Sequence, residues 1–186
     1  MKNLKDECLK CEKCPLAATR TNVVFGCGNE KAKIMFVGEG PGEQEDLQGE
    51  PFVGRSGQLL DKYLKLMDMD RNKNVYIANI VKCRPPQNRD PNVQEQEICI
   101  DYLREQVRLI KPEIIVCLGR IAAQKLISPD FRVTSQHGRF FKKGSIYFMG
   151  TFHPSALLRN EANKIPALSD FQALRNKACE LGIDLT

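Results

Sequence analysis

Four cysteines of this chain are spaced in a way that suits metal binding. Cys11 and Cys14 form a C-x2-C pair near the N-terminus, a turn that lets two thiolates converge on one metal site. Cys83, in a proline-rich loop after a strand, and Cys99, in the following helix, would have to complete the set. Cys8 forms an overlapping C-x2-C pair with Cys11, and spacing alone does not choose between the two pairs. Four thiolates suit a structural zinc ion as well as an iron–sulfur cluster.

The other cysteines carry less information. The chain has eight in 186 residues, and its N-terminus shows charges with no apolar run behind them, which predicts no signal peptide and a reducing cytoplasm. In that compartment cysteines indicate metal binding or catalysis before disulfides. Cys117, inside an apolar strand, and Cys179, in the last helix, are predicted to be inert. Cys27 lies in a loop between two glycines and has no evident partner.

Three short motifs carry the remaining chemistry: GEGPG at 38–42, NIVKCRPP at 79–86 and HPS at 153–155. Glycines permit a tight turn whose backbone approaches a ligand closely. Asn79 presents both a donor and an acceptor, and His153 can donate a hydrogen bond to a group that gains negative charge. Phe52 could stack on a flat base. Each has a plainer explanation in isolation: a structural turn, a turn-forming asparagine, a structural histidine and a core phenylalanine.

The elements between these motifs predict one α/β domain in which strands and helices alternate. Continuous apolar runs are typical of strands that are covered on both faces, and they occur at 34–37, 75–78, 114–118 and 146–149. Helices are predicted from a cap at Ser56, from Asp90-Pro91, after Gly119 and over 167–181. Such alternation indicates a parallel sheet between helices, whose ligands bind beyond the carboxyl ends of the strands. All three motifs fall at those ends.

The charge and hydropathy of the chain indicate which classes of partner it is expected to bind. The net charge is +5, and basic residues concentrate in the second half, several of them beside the motifs, which suits a polyanionic ligand. A solvated basic surface would explain the same charges. These residues are Lys82, Arg84, Arg89, Arg120, Lys125, Arg132, Arg139, Lys142, Lys143 and Arg159. No apolar stretch is long enough to span a bilayer, so no membrane partner is expected.

Several segments resemble the family 4 uracil-DNA glycosylases, the iron–sulfur branch of that superfamily. They are GEGPGEQEDLQGEPFVGRSGQLL at 38–60, CPL at 14–16, RTNVVFG at 20–26, NIVKCRPPQNRDP at 79–91 and HPSALLR at 153–159. The chain departs from the family at Cys27, where an acidic residue is usual, and in its extra Cys8. The resemblance covers nearly the whole chain. It implies a three-layer α/β/α sandwich with a four-stranded parallel central sheet.

The resemblance also implies a metal centre. It favours a 4Fe–4S cluster over zinc, with Cys11, Cys14, Cys83 and Cys99 as the ligands. We therefore expect a single glycosylase domain over 1–186, in which the N-terminal extension, 1–32, carries part of the iron–sulfur site.

The expected activity is hydrolysis of the N-glycosidic bond of uracil in DNA by a monofunctional glycosylase, which initiates base-excision repair. Phe52 would stack the base and Asn79 would read its edge, because an amide matches O4 and N3–H of uracil and mismatches cytosine. The backbone of Gly38 and Gly40 and the side chain of His153 would hold the O2 side.

Further roles follow from the same resemblance. Glu45 is assigned to discrimination near C5, and Glu39 to positioning of the attacking water, although related families have an aspartate or asparagine at the position of Gly40. In the last motif a leucine would fill the gap left by the flipped base and an arginine would hold phosphate. These residues are Leu157, Leu158 and Arg159. His137 matches no catalytic motif and is assigned to the surface.

Other functions are weighed against this one. The main alternative is a non-catalytic iron–sulfur protein on the same fold that binds DNA or senses redox state. A relative that traps the abasic sugar through a loop histidine is disfavoured because the 84–91 loop contains no histidine. A phosphotransferase is disfavoured because no phosphate-loop lysine follows Gly42. Besides uracil-containing DNA, a sliding clamp is a candidate partner, and the chain is expected to be monomeric.

Overall fold

The protein, described from a computed structural model over residues 1–185, is built around one mixed β-sheet. Its strands are β1 (Cys27–Gly28), β2 (Ile34–Gly38), β3 (Val75–Asn79), β4 (Ile114–Leu118), β5 (Phe140–Lys143) and β6 (Ile146–Thr151). Their spatial order is β1-β3-β2-β4-β6-β5. The four central strands are parallel, and the edge strands β1 and β5 are antiparallel to their neighbours.

The predicted four-stranded parallel sheet is therefore confirmed as the centre of the sheet, and two edge strands that were not predicted extend it to six. The four apolar runs form the four central strands, and β2, β3 and β4 are buried at every position. The two additional strands have no continuous apolar run: β1 is two residues long, and the second half of β5 is exposed. Pairing with a neighbour, which no local pattern records, makes them strands.

Helices cover both faces of the sheet and give the three-layer architecture. They are α1 (Lys2–Leu9), α2 (Glu43–Gln48), α3 (Arg55–Leu66), α4 (Val93–Ile110), α5 (Arg120–Leu126), α6 (Val133–Gln136), α7 (Pro154–Arg159) and α8 (Lys164–Glu180). Successive strand residues point to opposite faces, so Met35 and Val37 join one apolar cluster with α4, and Ile34 and Phe36 join another with α3 and α8.

Three helix starts differ from the sequence prediction. α4 begins at Val93 rather than at Asp90-Pro91, because Asn92 and Glu95 form a reciprocal capping box that satisfies two free N–H groups. α3 begins at Arg55, with Gly54 in the capping position instead of Ser56. α8 begins three residues earlier than 167.

Hydrogen bonds beyond the strand ends bring the motifs side by side. Gly38 is paired with Asn79 in the parallel register. The next two residues after Asn79 donate their N–H groups to the carbonyls of Gly38 and Glu39, at 2.9 and 3.1 Å. The N–H of Gly119 donates to Thr151 O at 2.9 Å. The carboxyl ends of the central strands therefore lie close together, which is where an α/β sheet offers a ligand crevice.

Candidate active site and cysteine cavity

A cleft of about 760 Å³ opens at the carboxyl ends of the central strands. All three motifs contribute to its wall, as predicted from their positions. Of the predicted site residues, Glu39, Gly40, Glu45, Phe52, Asn79, His153 and Arg159 line it. Gly38 lies directly beneath Asn79 and Phe52.

The Phe52 ring forms one side of the cleft and is held there by a strained backbone. Phe52 has φ of 55°, a left-handed conformation that is unfavourable for a bulky residue. Two side chains hold this loop: Arg71 donates to the carbonyls of Pro51 and Phe52 at 3.0 and 2.8 Å, and Glu45 Oε1 accepts from the N–H groups of Val53 and Gly54, both at 2.9 Å. Arg71 is a contributor that the sequence pattern missed.

Glu45 makes structural contacts that the sequence did not predict. One of its carboxylate oxygens is used by the Phe52 loop, which makes it a positioning residue for the stacking ring. Its predicted role next to C5 of a pyrimidine remains a hypothesis for the other oxygen.

Glycine is required at two points of this wall. A Cβ on Gly38 would come within 2.5 Å of Asn79 Oδ1 and 2.6 Å of Phe52 Cζ. A Cβ on Gly57 would lie 1.7 Å from the Phe52 carbonyl oxygen. Neither distance is sterically accessible, so Gly38 allows the Asn79 amide and the Phe52 ring to approach the backbone, and Gly57 allows α3 to approach the Phe52 carbonyl.

Asn79 presents an amide that is ready for a ligand. The residue is 1% exposed, and its Oδ1 is one of the buried side-chain atoms with no hydrogen-bond partner within residues 1–185. A buried polar atom without a partner costs roughly 1–3 kcal/mol, and such exceptions are typical of functional sites. This acceptor is therefore available to an N–H group of a ligand in the cleft.

His153 is oriented as a neutral hydrogen-bond donor. It caps the N-terminus of α7, where its Nδ1 accepts from the N–H of Ser155 at 3.1 Å and lies 2.8 Å from Ser155 Oγ. Nδ1 therefore carries no proton, and the neutral ring carries its proton on Nε2. Burial, with a smaller contribution from Arg159, lowers the pKa of His153 to about 4. The ring centroid lies 5.6 Å from that of Phe52.

Glu39 shares one end of the cleft with two residues that the motifs did not indicate. Burial, together with the nearby Asp90 carboxylate and against the opposing charge of Arg120, raises the pKa of Glu39 to about 7. Arg120 Nη2 donates to Asp90 Oδ2 at 2.5 Å, and both residues line the cleft. Arg120 lies two residues after the last residue of β4, so its place near a strand end was the available signal. A carboxyl group that titrates near neutrality can accept a proton at working pH.

The last motif divides between core and surface. Leu157 is 1% exposed and packs in the cluster under α3 and α8, so it has almost no surface available for DNA in this conformation. Leu158 is 37% exposed, and Arg159 lies at the cleft. The helical geometry of α7 explains the division, because adjacent residues point to different sides of a helix.

His137 is not a free surface residue, contrary to the prediction. Its Nδ1 lies 2.8 Å from Asp170 Oδ1, and its ring packs on Phe152 with centroids 4.7 Å apart. Asp170 is 4% exposed and also accepts from Thr151 Oγ1 at 2.5 Å. This network fixes the last residues of β6 immediately before His153.

The cysteines with metal-binding spacing line a second, smaller cavity beside α4. Cys8, Cys11, Cys14, Cys83 and Cys99 all belong to its wall. Two thiols receive hydrogen bonds, from Arg20 Nη1 to Cys83 Sγ at 3.5 Å and from the N–H of Lys82 to Cys99 Sγ at 3.3 Å. Both bonds would stabilise thiolates.

The side chains of this cavity offer thiol ligands, the donor type that structural zinc sites and iron–sulfur clusters share. Within residues 1–185, no group of three or more Cys, His, Asp or Glu side chains is arranged to hold a metal ion. The buried hydroxyl of Tyr102, which faces Cys11, has no hydrogen-bond partner within the same residues. An acceptor absent from the polypeptide would satisfy it.

Lys82 was counted as part of a basic surface, and the structure corrects this. Its side chain is 1% exposed and donates inside the protein, to Asn79 O at 3.0 Å and Gln106 Oε1 at 2.7 Å. The basic residues that do line the cleft are Arg55, Arg89, Arg120 and Arg159. Arg89 and Arg120 are paired with Glu95 and Asp90.

A cleft at the carboxyl ends of parallel strands, lined by the Phe52 ring, the Asn79 amide and the His153 imidazole, is a site of an α/β protein that suits a flat, polar ligand. The chain belongs to the uracil DNA glycosylase superfamily, whose family model matches residues 25–177. It is 44% identical to a type-4 uracil-DNA glycosylase of Archaeoglobus fulgidus, over 94% of this chain and 92% of that protein.

Two further relatives carry the same type-4 name. The protein of Thermotoga maritima is 44% identical over 89% of this chain and 86% of its own length. The protein of Sulfurisphaera tokodaii is 41% identical over 96% of this chain and 84% of its own length. The resemblance inferred from the motifs is thereby confirmed over most of the chain.

Proposed function

We propose how this chain, a uracil-DNA glycosylase by family, removes its base: the cleft holds one flipped uracil while water replaces the glycosidic bond. Free uracil and an abasic site are the products. The observation that carries the proposal is the convergence of Phe52, Asn79 and His153 on one cleft, with the Asn79 amide oxygen buried and unpartnered. The relatives' names supply the substrate, uracil in DNA.

Recognition rests on Phe52 and Asn79. The Phe52 ring stacks on the base, which is favourable for any base by about 1–3 kcal/mol. Asn79 Oδ1 accepts from N3–H of uracil while its NH₂ donates to O4. Cytosine reverses both polarities and would leave the buried amide unpaired, which costs roughly 1–3 kcal/mol for each group.

Bond cleavage rests on stabilising the departing base. As the glycosidic bond breaks, negative charge develops on uracil, and O2 gains part of it. His153 donates from Nε2 to O2, and the backbone of Gly38 and Gly40 approaches the same side. A donor that is already oriented stabilises the transition state more than the ground state. The pKa of about 4 keeps His153 neutral at working pH, so it donates a hydrogen bond without transferring a proton.

Glu39 has the role of positioning the attacking water. With its pKa near 7, it is partly ionised at neutral pH and can accept a hydrogen bond from water. Asp90 and Arg120 act on the pKa of Glu39 in opposite directions. The negative charge of Asp90 raises it, and the positive charge of Arg120, which is paired with Asp90, lowers it.

DNA contact is assigned to the exposed part of the last motif. Leu158, the exposed leucine of the motif, would fill the gap in the stack after base flipping, which costs a few kcal/mol and can be offset by an apolar wedge. Arg159 and the other arginines at the cleft provide positive charge for phosphates.

The cysteine cavity is assigned a 4Fe–4S cluster ligated by Cys11, Cys14, Cys83 and Cys99. When bound, the cluster supplies a covalent tie between the N-terminal segment and the loop after β3, and no step of base removal passes through it. The unpartnered Tyr102 hydroxyl and the two hydrogen bonds to thiols support the assignment. Cys8 lines the same cavity and remains the alternative partner of Cys11.

The remaining proposals concern the setting of the enzyme. We place residues 1–186 in one cytoplasmic, monomeric glycosylase domain, with a sliding clamp as a candidate partner. No helix within residues 1–185 is long and apolar enough to cross a membrane. Sedimentation of the cluster-loaded protein tests the monomer, because a dimer at micromolar concentration would contradict it.

The deciding experiment is incubation with an oligonucleotide that contains one uracil, followed by alkali. Strand scission at the uracil position is expected, and parallel substrates with hypoxanthine and mismatched thymine measure breadth. If no abasic site forms while DNA is bound, the alternative of a non-catalytic iron–sulfur DNA-binding protein is correct.

Replacement of Asn79 tests the edge-reading role. Asn79→Asp exchanges the amide NH₂ for oxygen and should lower the preference for uracil over cytosine by about tenfold to 100-fold, since one or two buried polar groups change partner. Single-turnover rates on the two substrates measure the ratio. An unchanged ratio would show that Asn79 does not read the base.

A further inference from the structure

Lys82 places a buried positive charge between the cleft and the cysteine cavity. It is among the largest fully buried side chains of the protein, at 1% exposure. Its Nζ donates to Asn79 O at 3.0 Å and to Gln106 Oε1 at 2.7 Å, and both acceptors are neutral. Removing an ammonium from water costs several kcal/mol unless an opposite charge lies nearby. The buried ammonium of Lys82 therefore requires a negatively charged group nearby.

The cysteine cavity can provide that negative charge. The backbone N–H of Lys82 donates to Cys99 Sγ at 3.3 Å, Lys82 precedes Cys83 in the chain, and Lys82 itself lines the cavity. Four thiolates around a 4Fe–4S core leave a net negative charge on the cluster, because their charge exceeds that of the core. A cysteine-bound cluster would thus balance the buried ammonium.

The other end of Lys82 acts on the base-reading residue. Its ammonium donates to the carbonyl of Asn79, at the point where β3 ends and the amide enters the cleft. Gln106 holds the Lys82 ammonium in place. Its Oε1 accepts from Lys82, and its Nε2 donates to Phe25 O at 2.8 Å. One side chain therefore contacts the backbone that carries Asn79 and lies beside two proposed ligands.

We propose that Lys82 is a positioning residue that joins the two sites: its ammonium balances the charge of the cysteine-bound cluster, and its hydrogen bond to the Asn79 carbonyl fixes the amide that reads uracil. This inference rests on the proposed function for both the cluster and Asn79. It assigns the lysine no contact with the substrate.

Lys82→Met tests both halves of the inference, because methionine has a similar length and no charge. In the purified cluster-loaded protein, the reduction potential of the cluster should become more negative, since a nearby positive charge stabilises the reduced form. The single-turnover rate on uracil should fall about tenfold or more, as is usual when a supporting residue is lost, and the preference for uracil over cytosine should fall with it. Affinity for DNA with a preformed abasic site should stay the same.

A matched control and a second variant keep the test decisive. Lys65→Met removes the same charge from an exposed position in the last turn of α3 and should change neither potential nor selectivity. If Lys82→Met does not fold, Gln106→Glu places a carboxylate against the ammonium and should also make the potential more negative.

The outcomes separate this inference from the proposed function. A wild-type protein that releases no uracil defeats the proposed function, while the potentials of the variants still decide whether Lys82 balances the cluster. Unchanged potential in Lys82→Met, or in Gln106→Glu where the first variant does not fold, overturns the inference. So does a Lys82→Met variant that excises uracil at the wild-type rate with wild-type selectivity.

Discussion

The cleft and the cysteine cavity each contain one buried polar atom without a hydrogen-bond partner. Within residues 1–185 these two, Asn79 Oδ1 and the Tyr102 hydroxyl, are the only such side-chain atoms. Their surroundings differ. The cleft is a large crevice at the strand ends, whereas the cavity is small and lies between the N-terminal segment and α4.

Under the proposed function, this difference separates a transient partner, the substrate, from a resident one, the cluster. A substrate must enter and leave, so its site is open and its unpaired acceptor is covered only during turnover. A cofactor stays, so its site can close around it and draw its ligands from remote segments. The two sites also contain different energetically unfavourable features. The cleft has the strained backbone of Phe52, and the cavity has a buried lysine, Lys82.

The largest expected effect comes from breaking the resident site. Cys14→Ser should abolish bound iron and visible absorbance and should lower the thermal unfolding temperature, because the remote segments lose their common tie. Cys179→Ser, at an exposed thiol, is the matched control and should leave both unchanged.

Cys8→Ser sharpens the same prediction. If Cys11 and Cys14 form the local ligand pair, Cys8→Ser keeps its full iron content. Loss of iron from Cys8→Ser combined with its retention in Cys14→Ser would assign the pair to Cys8 and Cys11 instead.

The next effect is catalytic and confined to the cleft. His153→Ala should lower the single-turnover rate about 100-fold to 1,000-fold, the usual loss for one preorganised donor to developing charge, with little change in affinity for abasic-site DNA. Ser155→Ala removes only the hydroxyl at Nδ1 and should cause a smaller loss. Equal losses of rate and affinity in His153→Ala would indicate a binding role only.

A pH profile tests Glu39 against His153. Because the pKa of Glu39 is raised to about 7, the rate should rise with pH up to about 7 and level off above it as the carboxylate forms. His153, with a pKa of about 4, stays neutral over this range and contributes no step.

Glu39→Gln should remove that rise and lower the plateau, whereas Glu30→Gln, at an exposed acid, should preserve the wild-type profile. A Glu39→Gln variant that retains the rise would assign the titration to another group, and Asp90→Asn then identifies whether its partner is responsible.

The smallest expected effect belongs to the cavity's unpaired hydroxyl. If Tyr102 donates to a cluster sulfur, Tyr102→Phe should make the cluster potential more negative, since hydrogen bonds to sulfur raise it. Excision should remain within about twofold, because a supporting change this far from the base leaves its contacts intact. A potential that does not move would show that the hydroxyl has no bond to the cluster.

Sequence patterns predicted the structure correctly where it depends on interactions between residues close together in the chain. Continuous apolar runs predicted the four central strands, and the motif positions after them predicted that Phe52, Asn79 and His153 would meet. The edge strands were missed, because a two-residue strand depends on a neighbour rather than on its own pattern.

Other residues were missed because their roles arise only from long-range contacts. Arg71 holds the Phe52 loop from 19 positions away, and Asp170 reaches His137 from 33 positions away. Nothing in the local sequence distinguishes these from ordinary charged residues. Lys82 was misread for the same reason: a lysine is usually exposed, and its burial follows from the packing of α4 on the sheet.

The most direct test of the central claim is a crystal structure of the His153→Ala protein bound to a duplex that contains uracil. We expect an extruded uracil stacked on Phe52, with N3 within about 2.7–3.2 Å of Asn79 Oδ1. A uracil that remains in the duplex, or that lies in the cleft with its N3–H away from Asn79, would contradict it.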